Sequence, residues 1–285
     1  MAPESQNTEE PANDDDVGRL LDAARFGDIG SLDELAAKAH FSRFHLSRIL
    51  KKHLGFPLRD FLAAARVERS IDGLVDGHNV TRSQVDAGYD SPSSFHRAFR
   101  RHTGMSPSDY RKQMPTLAAH LMLQQDRDGP LVVLHRTFSP DEHAQPHPLT
   151  VEVEGAKPYS ALFVALHPDP LVRGEPALGI ALLGTTSYDV SAIPDGRYYV
   201  MVVEVPRKSD VRAYFQMAKN RRQLQRTPVT FPLTEPTRVS LALRAKISED
   251  PPITLNLPRL FVQAAAGQLD LEVSNSGQVP PEDEK

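Results

Sequence analysis

The sequence contains no cysteine and no tryptophan. Without cysteine there can be no disulfide, no thiolate metal site and no cysteine nucleophile. No apolar run approaches the roughly 20 residues that a membrane-crossing helix needs. The opening stretch MAPESQNTEEPANDDD is acidic and poor in apolar residues, without the positive and apolar regions of a secretory signal. A soluble, cytoplasmic protein is expected. P-loop, nucleophile-elbow and Rossmann glycine patterns are missing. His135, His143 and His147 hint at a metal, but none has the HExxH-type spacing of a helical zinc site. GTTSYD (184–189) brings Ser and Asp together without a paired base. Neither an enzyme nor a cofactor is expected.

What is present is an uneven distribution of charge. The 285-residue chain carries a formal net charge of −4. Residues 1–30 hold 2 Lys/Arg against 8 Asp/Glu, residues 31–114 hold 14 against 9, and residues 115–285 hold 17 against 20. A basic module between acidic flanks points to a nucleic-acid contact that the whole-chain charge conceals.

The apolar period changes along the chain. Residues 1–18 read as a disordered acidic tail. Residues 19–114 read as helical throughout, from apolar spacings of three and four. Residues 115–148 form a linker, in which LAAHLMLQQD continues the helical pattern and SPDEHAQPHP (139–148) is a loop. From 149 to 247 the period becomes two, and LTVEVEG, SALFVALHP, LGIALLG, GRYYVMVVEVP, VTFPL and RVSLALR read as short strands. SDVRAYFQMAKNRRQLQ (209–225) is the one helical candidate there. Residues 248–285 read as a loose, Pro-rich C-terminal tail. The expected fold is multidomain, all-α followed by an all-β sandwich-like domain.

The helical part contains an internal repeat. SLDELAAKAHFS (31–42) aligns with NVTRSQVDAGYD (79–90), and LSRILKKHLG (46–55) aligns with FHRAFRRHTG (95–104). Arg48 matches Arg97, and Lys51 and Lys52 match Arg100 and Arg101. Each copy reads as helix, tight turn, helix. Ser31 with Glu34 suggests a capping box, Asn79 and Ser42 are further caps, and Ser91 precedes Pro92 at the first helical position. Gly55 and Gly104 fit helix C-termini. In the second helix of copy one, Leu46, Ile49, Leu50 and His53 share a face opposite Phe44, Ser47, Arg48 and Lys51. In copy two, Phe95, Ala98, Phe99 and His102 lie opposite Ser93, Arg97, Arg100 and Arg101. A helix fits the major groove of B-DNA, where Arg can read guanine with two hydrogen bonds. The Lys and Arg pairs one turn further on suit phosphates.

At these residues the chain resembles the DNA-binding domain of AraC/XylS-family transcription regulators, two helix-turn-helix units joined by a long helix. FSRFHLSRILKKHLG (41–55) and GYDSPSSFHRAFRRHTGMSPSDYR (88–111) carry the likeness, with Arg66, Val67 and Glu68 in the joining helix. The resemblance covers residues 19–114. It implies base reading by Arg43, Phe44, Ser47 and Arg48 in the first unit and by Pro92, Ser93, His96 and Arg97 in the second. The phosphate contacts would fall to Lys51, Lys52, Arg100 and Arg101. Three departures stand out. His40 occupies a turn position where the family often has Gly. Ser83 and Gln84 replace small apolar residues. Pro92 replaces a residue that can hydrogen-bond, so the second unit is expected to lean more on phosphates.

The β half offers a weaker resemblance. SAIPDGRYYVMVVEVP (191–206) is similar to a strand of transthyretin-like, or carboxypeptidase-regulatory-like, sandwiches. The alternative is a GyrI-like small-molecule effector domain, which would require helices such as 209–225. The expected partners are operator duplex DNA and RNA polymerase, with a small-molecule effector or homodimerisation assigned to the C-terminal domain. A non-DNA-binding β-sandwich interaction protein is the rival from another class.

Overall fold

The computed structural model describes residues 14–26, 31–172, 174–207, 210–266 and 273–274. The chain forms two compact units. One is Met1–Leu62 with Ile247–Asp250, and the other is Ala63–Lys246 with Pro251–Lys285.

The first unit contains α1 (Asp14–Phe26), α2 (Leu32–Lys38), α3 (Arg43–Leu54) and the start of α4 (Leu58–Val75). The acidic tail expected over 1–18 lies outside the described residues up to position 13, and α1 begins at Asp14. Val17, Leu21 and Ala24 are buried, as are Leu35, Leu46, Leu50 and Phe61. The spacings of three and four between these residues set the buried stripes of the helices. Arg25 is almost wholly buried, with its guanidinium 4.9 Å from the Phe61 ring centroid and a hydrogen bond to the Asp250 carbonyl. Ser248 donates to Asp22 at 2.7 Å.

The second unit adds α5 (Val80–Asp86), α6 (Pro92–Thr103), α7 (Pro107–Gln125) and α8 (Leu257–Ala265). Its strands are β1 (Leu131–Arg136), β2 (Ala144–Glu154), β3 (Ala161–His167), β4 (Leu178–Leu183), β5 (Ser187–Ala192), β6 (Gly196–Val205), β7 (Arg222–Leu224), β8 (Val229–Phe231), β9 (Thr237–Ala242) and β10 (Val273–Ser274). The larger sheet runs β10-β1-β4-β3-β6-β7, with β8 paired to the opposite end of β6, and its pairings are antiparallel. A smaller sheet runs β5-β2-β9, in which β2 and β9 are parallel.

Period two decides which face each strand residue enters. Val132, Leu162, Val164, Ile180, Leu182, Val200 and Val202 share a core with Val151, Val153, Val239 and Leu241 of the smaller sheet. Their neighbours Val133, Phe163, Ala181, Leu183, Val203 and Val205 share a second core with α4, α6, α7 and α8. The larger sheet is therefore buried on both sides, which is why LFVAL and LGIALL read as continuous apolar runs. In β2, Thr150, Glu152 and Glu154 alternate with buried Val151 and Val153, as one solvated face requires.

The expected order, helical part then β-rich part, is observed. The six strands anticipated between 149 and 247 are present, joined within that span by β5 and β7 and outside it by β1 and β10. One expectation is corrected. Residues 209–225 do not form a helix: the described part makes 3-10 turns at Val211–Tyr214 and Met217–Lys219, then β7. Tyr214, Phe215 and Met217 are buried. These apolar side chains are bunched within four residues, and the polar NRRQ that follows cannot prolong an apolar helical stripe. The stretch expected as a linker, 115–148, holds the rest of α7, all of β1 and the start of β2. The stretch expected as a loose tail, 248–285, contains α8, with Leu257, Leu260, Phe261 and Ala264 buried. The rest of that tail, apart from Val273 and Ser274, lies outside the described residues beyond Ala266.

Candidate nucleic-acid interface

In the first unit, Ser31 caps α2 by accepting from the Glu34 N–H at 3.2 Å. After the helix, His40 adopts a left-handed φ of 56° and its neighbour Phe41 donates back to the Ala36 carbonyl at 3.0 Å. The chain thereby turns sharply into Ser42, whose hydroxyl accepts from the His45 N–H at 3.3 Å and starts α3. Gly55 ends α3 with a φ of 78°, donating to the Lys51 carbonyl.

Burial of Leu46, Leu50 and Leu54 fixes the rotation of α3. Arg43, Phe44, Ser47, Arg48, Lys51 and Lys52 are consequently all exposed. Phe44 is 82% exposed, an unusual position for an apolar ring. Arg43 lies 3.4 Å from Asp33, but both partners are exposed and such a pair holds its arginine only weakly.

The second copy of the repeat is built in the same way. Asn79 caps α5 through the Arg82 N–H at 2.8 Å. Gly88 has a φ of 77° at the position corresponding to His40. Ser91 accepts from the Ser94 N–H at 3.3 Å, with Pro92 opening α6, and Gly104 closes it at a φ of 77°. Phe95, Phe99, His102 and Thr103 are buried, leaving Pro92, Ser93, His96, Arg97, Arg100 and Arg101 exposed. The structure thus gathers the expected residues of each unit on one exposed helix face.

Two departures from the family pattern acquire physical reasons. Gln84 is buried and its side-chain amide donates to the Tyr89 carbonyl at 3.2 Å, so it ties the turn together. Ser83 is buried against Gly73 of α4, where a Cβ would lie 3.0 Å from the serine hydroxyl. Helices α4 and α5 approach closely because position 73 has no side chain.

The back of α6 is held by the β-rich half. Phe95, Phe99, Tyr110 and Phe215 follow one another with edge-on ring contacts of 5.3–5.6 Å between centroids. His102 Nδ1 lies 3.0 Å from the Thr254 hydroxyl, and the Arg259 guanidinium occupies the space beside Gly104. Thr254 is 152 positions from His102, and nothing in the sequence marked either Thr254 or Arg259 as support for this helix.

The histidines singled out for metal are placed separately. His135 is buried on β1, its Nε2 3.6 Å from Glu175, and its pKa is lowered by burial. His143 packs edge-on to Phe138, and His147 lies within β2. Among the described residues, no group of three or more His, Asp or Glu is arranged to hold a metal ion, and no helix is long and apolar enough to cross a membrane.

Comparison with known proteins bears on these helices. Residues 35–113 match a family model described as a helix-turn-helix domain. An uncharacterized HTH-type transcriptional regulator of Staphylococcus aureus (strain MSSA476) is 31% identical over 108 residues, covering 37% of this chain and 14% of the relative. The HTH-type transcriptional activator AarP of Providencia stuartii is 30% identical over 82 residues, covering 28% of this chain and 61% of AarP. This chain therefore spans a seventh of the first relative's length and under two thirds of the second's. A solved structure of a protein of unknown function from Listeria innocua aligns with 36% of this chain and 97% of its own, at 27% identity and a TM-score of 0.31.

Proposed function

We propose that this protein is a sequence-specific DNA-binding transcription regulator of the AraC/XylS type. The observation that carries the reading is the repeated reader. Two capped helices expose Arg48 and Arg97 at matching positions, each followed one turn later by a basic pair. The match to a helix-turn-helix domain over these residues supports it.

Arg43, Ser47 and Arg48 would offer hydrogen bonds to base edges, and the exposed Phe44 suits apolar contact with a thymine methyl group. In α6, Ser93, His96 and Arg97 take the same role beside Pro92, which contributes shape alone. Lys51, Lys52, Arg100 and Arg101 would fix register on the phosphates. The β-rich half is assigned to effector or partner binding, with RNA polymerase and a second copy of the chain as candidate partners. Within that half, the transthyretin-like reading is the one retained. The GyrI-like alternative needed a helix over 209–225, and the 3-10 turns there weigh against it. No catalytic step is proposed.

The test is selection of the full-length protein on a random duplex DNA pool at physiological salt. A bipartite motif with half-sites about one helical turn apart is the expected result. Retention without any motif would reduce the reading to non-specific binding. Absence of retention would favour the rival, a β-sandwich interaction protein that does not bind DNA.

A further inference from the structure

A cleft of about 380 Å³ opens on the β-rich half, in the range of small-molecule sites. Among the described residues three cations line it: Lys157 from the β2–β3 loop, and Arg212 and Lys219 from the 3-10 turns. The one lining carboxylate among the described residues, Asp210, already accepts from the Arg212 N–H at 2.9 Å. Pro206 and Ala213 supply an apolar wall. Nearby, the fully buried Glu204 is satisfied by the Lys157 N–H at 2.7 Å, the Ser160 hydroxyl at 2.9 Å and Arg221 at 2.7 Å. Glu204 is thus spent on holding the loop, and leaves the cleft cations in excess.

Two of these cations reach the α4–α5 corner, Arg212 directly and Lys219 through Gln216. Gln216, nine-tenths buried, donates to Asp76 at 3.1 Å and accepts from Lys219 at 3.2 Å. Arg212 lies 3.8 Å from the same Asp76 oxygen. Asp76 immediately follows α4, and three residues later Asn79 caps α5.

We propose that this cleft binds a small organic anion, carrying a carboxylate or a phosphate, and that its occupation is felt at the α4–α5 corner through Asp76. The planar fork of Arg212 suits either group. At 3.8 Å its contact with Asp76 is longer than a hydrogen bond, so an anion can draw it away at little cost. The link to regulation rests on the function proposed above, whereas anion binding does not.

The experiment titrates the full-length protein with succinate, inorganic phosphate and neutral succinamide at constant ionic strength, read by calorimetry. Saturable binding of at least one of the two anions, without binding of succinamide, is expected, and the anion that saturates identifies the headgroup. Replacing both Arg212 and Lys219 by Ala should raise Kd at least about tenfold. Lys157→Ala, on a different loop, should act in the same direction, which separates a lost site from a misfolded turn. Equal binding of succinamide, no saturation by either anion, or unchanged affinity in the variants overturns the site. For the link, hydrogen exchange of the α5 amides should change on anion saturation in the native protein and not in Asp76→Asn. Unchanged exchange in both overturns the link, and this readout needs no DNA.

Discussion

Asp72 shows how far one residue's surroundings can move its chemistry. Glu68 and Asp72 are spaced by four along α4, and Asp76 follows four residues later, just past its last residue Val75, so both carboxylates act on Asp72. Burial, reinforced by Glu68 and Asp76, pushes the Asp72 carboxyl up to about 7, against the opposing pull of Lys219 and Lys246. An unfolded Asp titrates near 3.9. Between these values the folded chain holds a proton that the unfolded chain releases. The contribution is therefore complete below about pH 4 and is lost as pH rises through 7. Urea unfolding at pH 4.5, 6 and 8 should show Asp72→Asn abolishing a decline on the order of 2 kcal/mol. A parallel decline in both proteins would locate the titration elsewhere. His40 carries a different strain. It takes the left-handed turn that Gly88 takes in the second reader, where a side chain costs roughly 1 kcal/mol. Part of that is returned as unfolded-state entropy, so His40→Gly should stabilise the chain by about 0.5 kcal/mol in the same unfolding assay. Lower stability would mean that the imidazole contributes a contact worth more than the strain.

At the scale of elements, the proposed function would have α3 and α6 separate base reading from phosphate binding along one helix face. On the proposed function, Arg48→Ala or Arg97→Ala should cost about 1–3 kcal/mol and relax preference at one position of the selected motif. Replacing any one of Lys51, Lys52, Arg100 or Arg101 by Ala should instead weaken all duplexes alike and lower the salt slope by about one. Fluorescence anisotropy over a salt series tells the two classes apart, and identical behaviour of both would dissolve the assignment. These faces and their caps were legible because each depends on residues within one helical turn. Ser42, Ser91, Gly55 and Gly104 do in the structure what their positions imply. The elements that escaped sequence reasoning depend on distant partners. Residues 211–219 carry bunched apolar side chains whose conformation follows from what they pack against, Tyr110 and Gln125 among others. The helix α8 is only nine residues long and has a proline, Pro258, as its second residue inside a Pro-rich stretch, so composition argued for a tail. Neither the cleft nor Asp76 left any local pattern, since the residues involved come from the turn after α4, a strand-connecting loop and the 3-10 turns.

At the scale of the whole chain, the period change near residue 149 suggested a helical domain that could be cut from a β domain. The cores run otherwise. Tyr110, Met114, Leu117 and Leu121 share one apolar cluster with Phe163, Val203, Phe215 and Phe261. Gln125 reaches the Val205 carbonyl at 3.1 Å and accepts from the Tyr214 hydroxyl at 2.6 Å. A fragment ending at Asp126 would therefore return several large apolar side chains to water, each worth about 1.5–3 kcal/mol when fully buried. Losses of that size rival the whole stability of a domain. The fragment should accordingly show no cooperative thermal transition by circular dichroism, and should bind a selected duplex far more weakly than the full chain. Its failure would follow from the second reader's core, because α6 loses Phe215 behind Tyr110 and the Thr254 and Arg259 supports together. A fragment that melts cooperatively and binds with full-length affinity would instead mean that the helices close their own core. The β-rich half could then influence DNA binding only through a bound partner, and not through the packing it shares with α6 and α7.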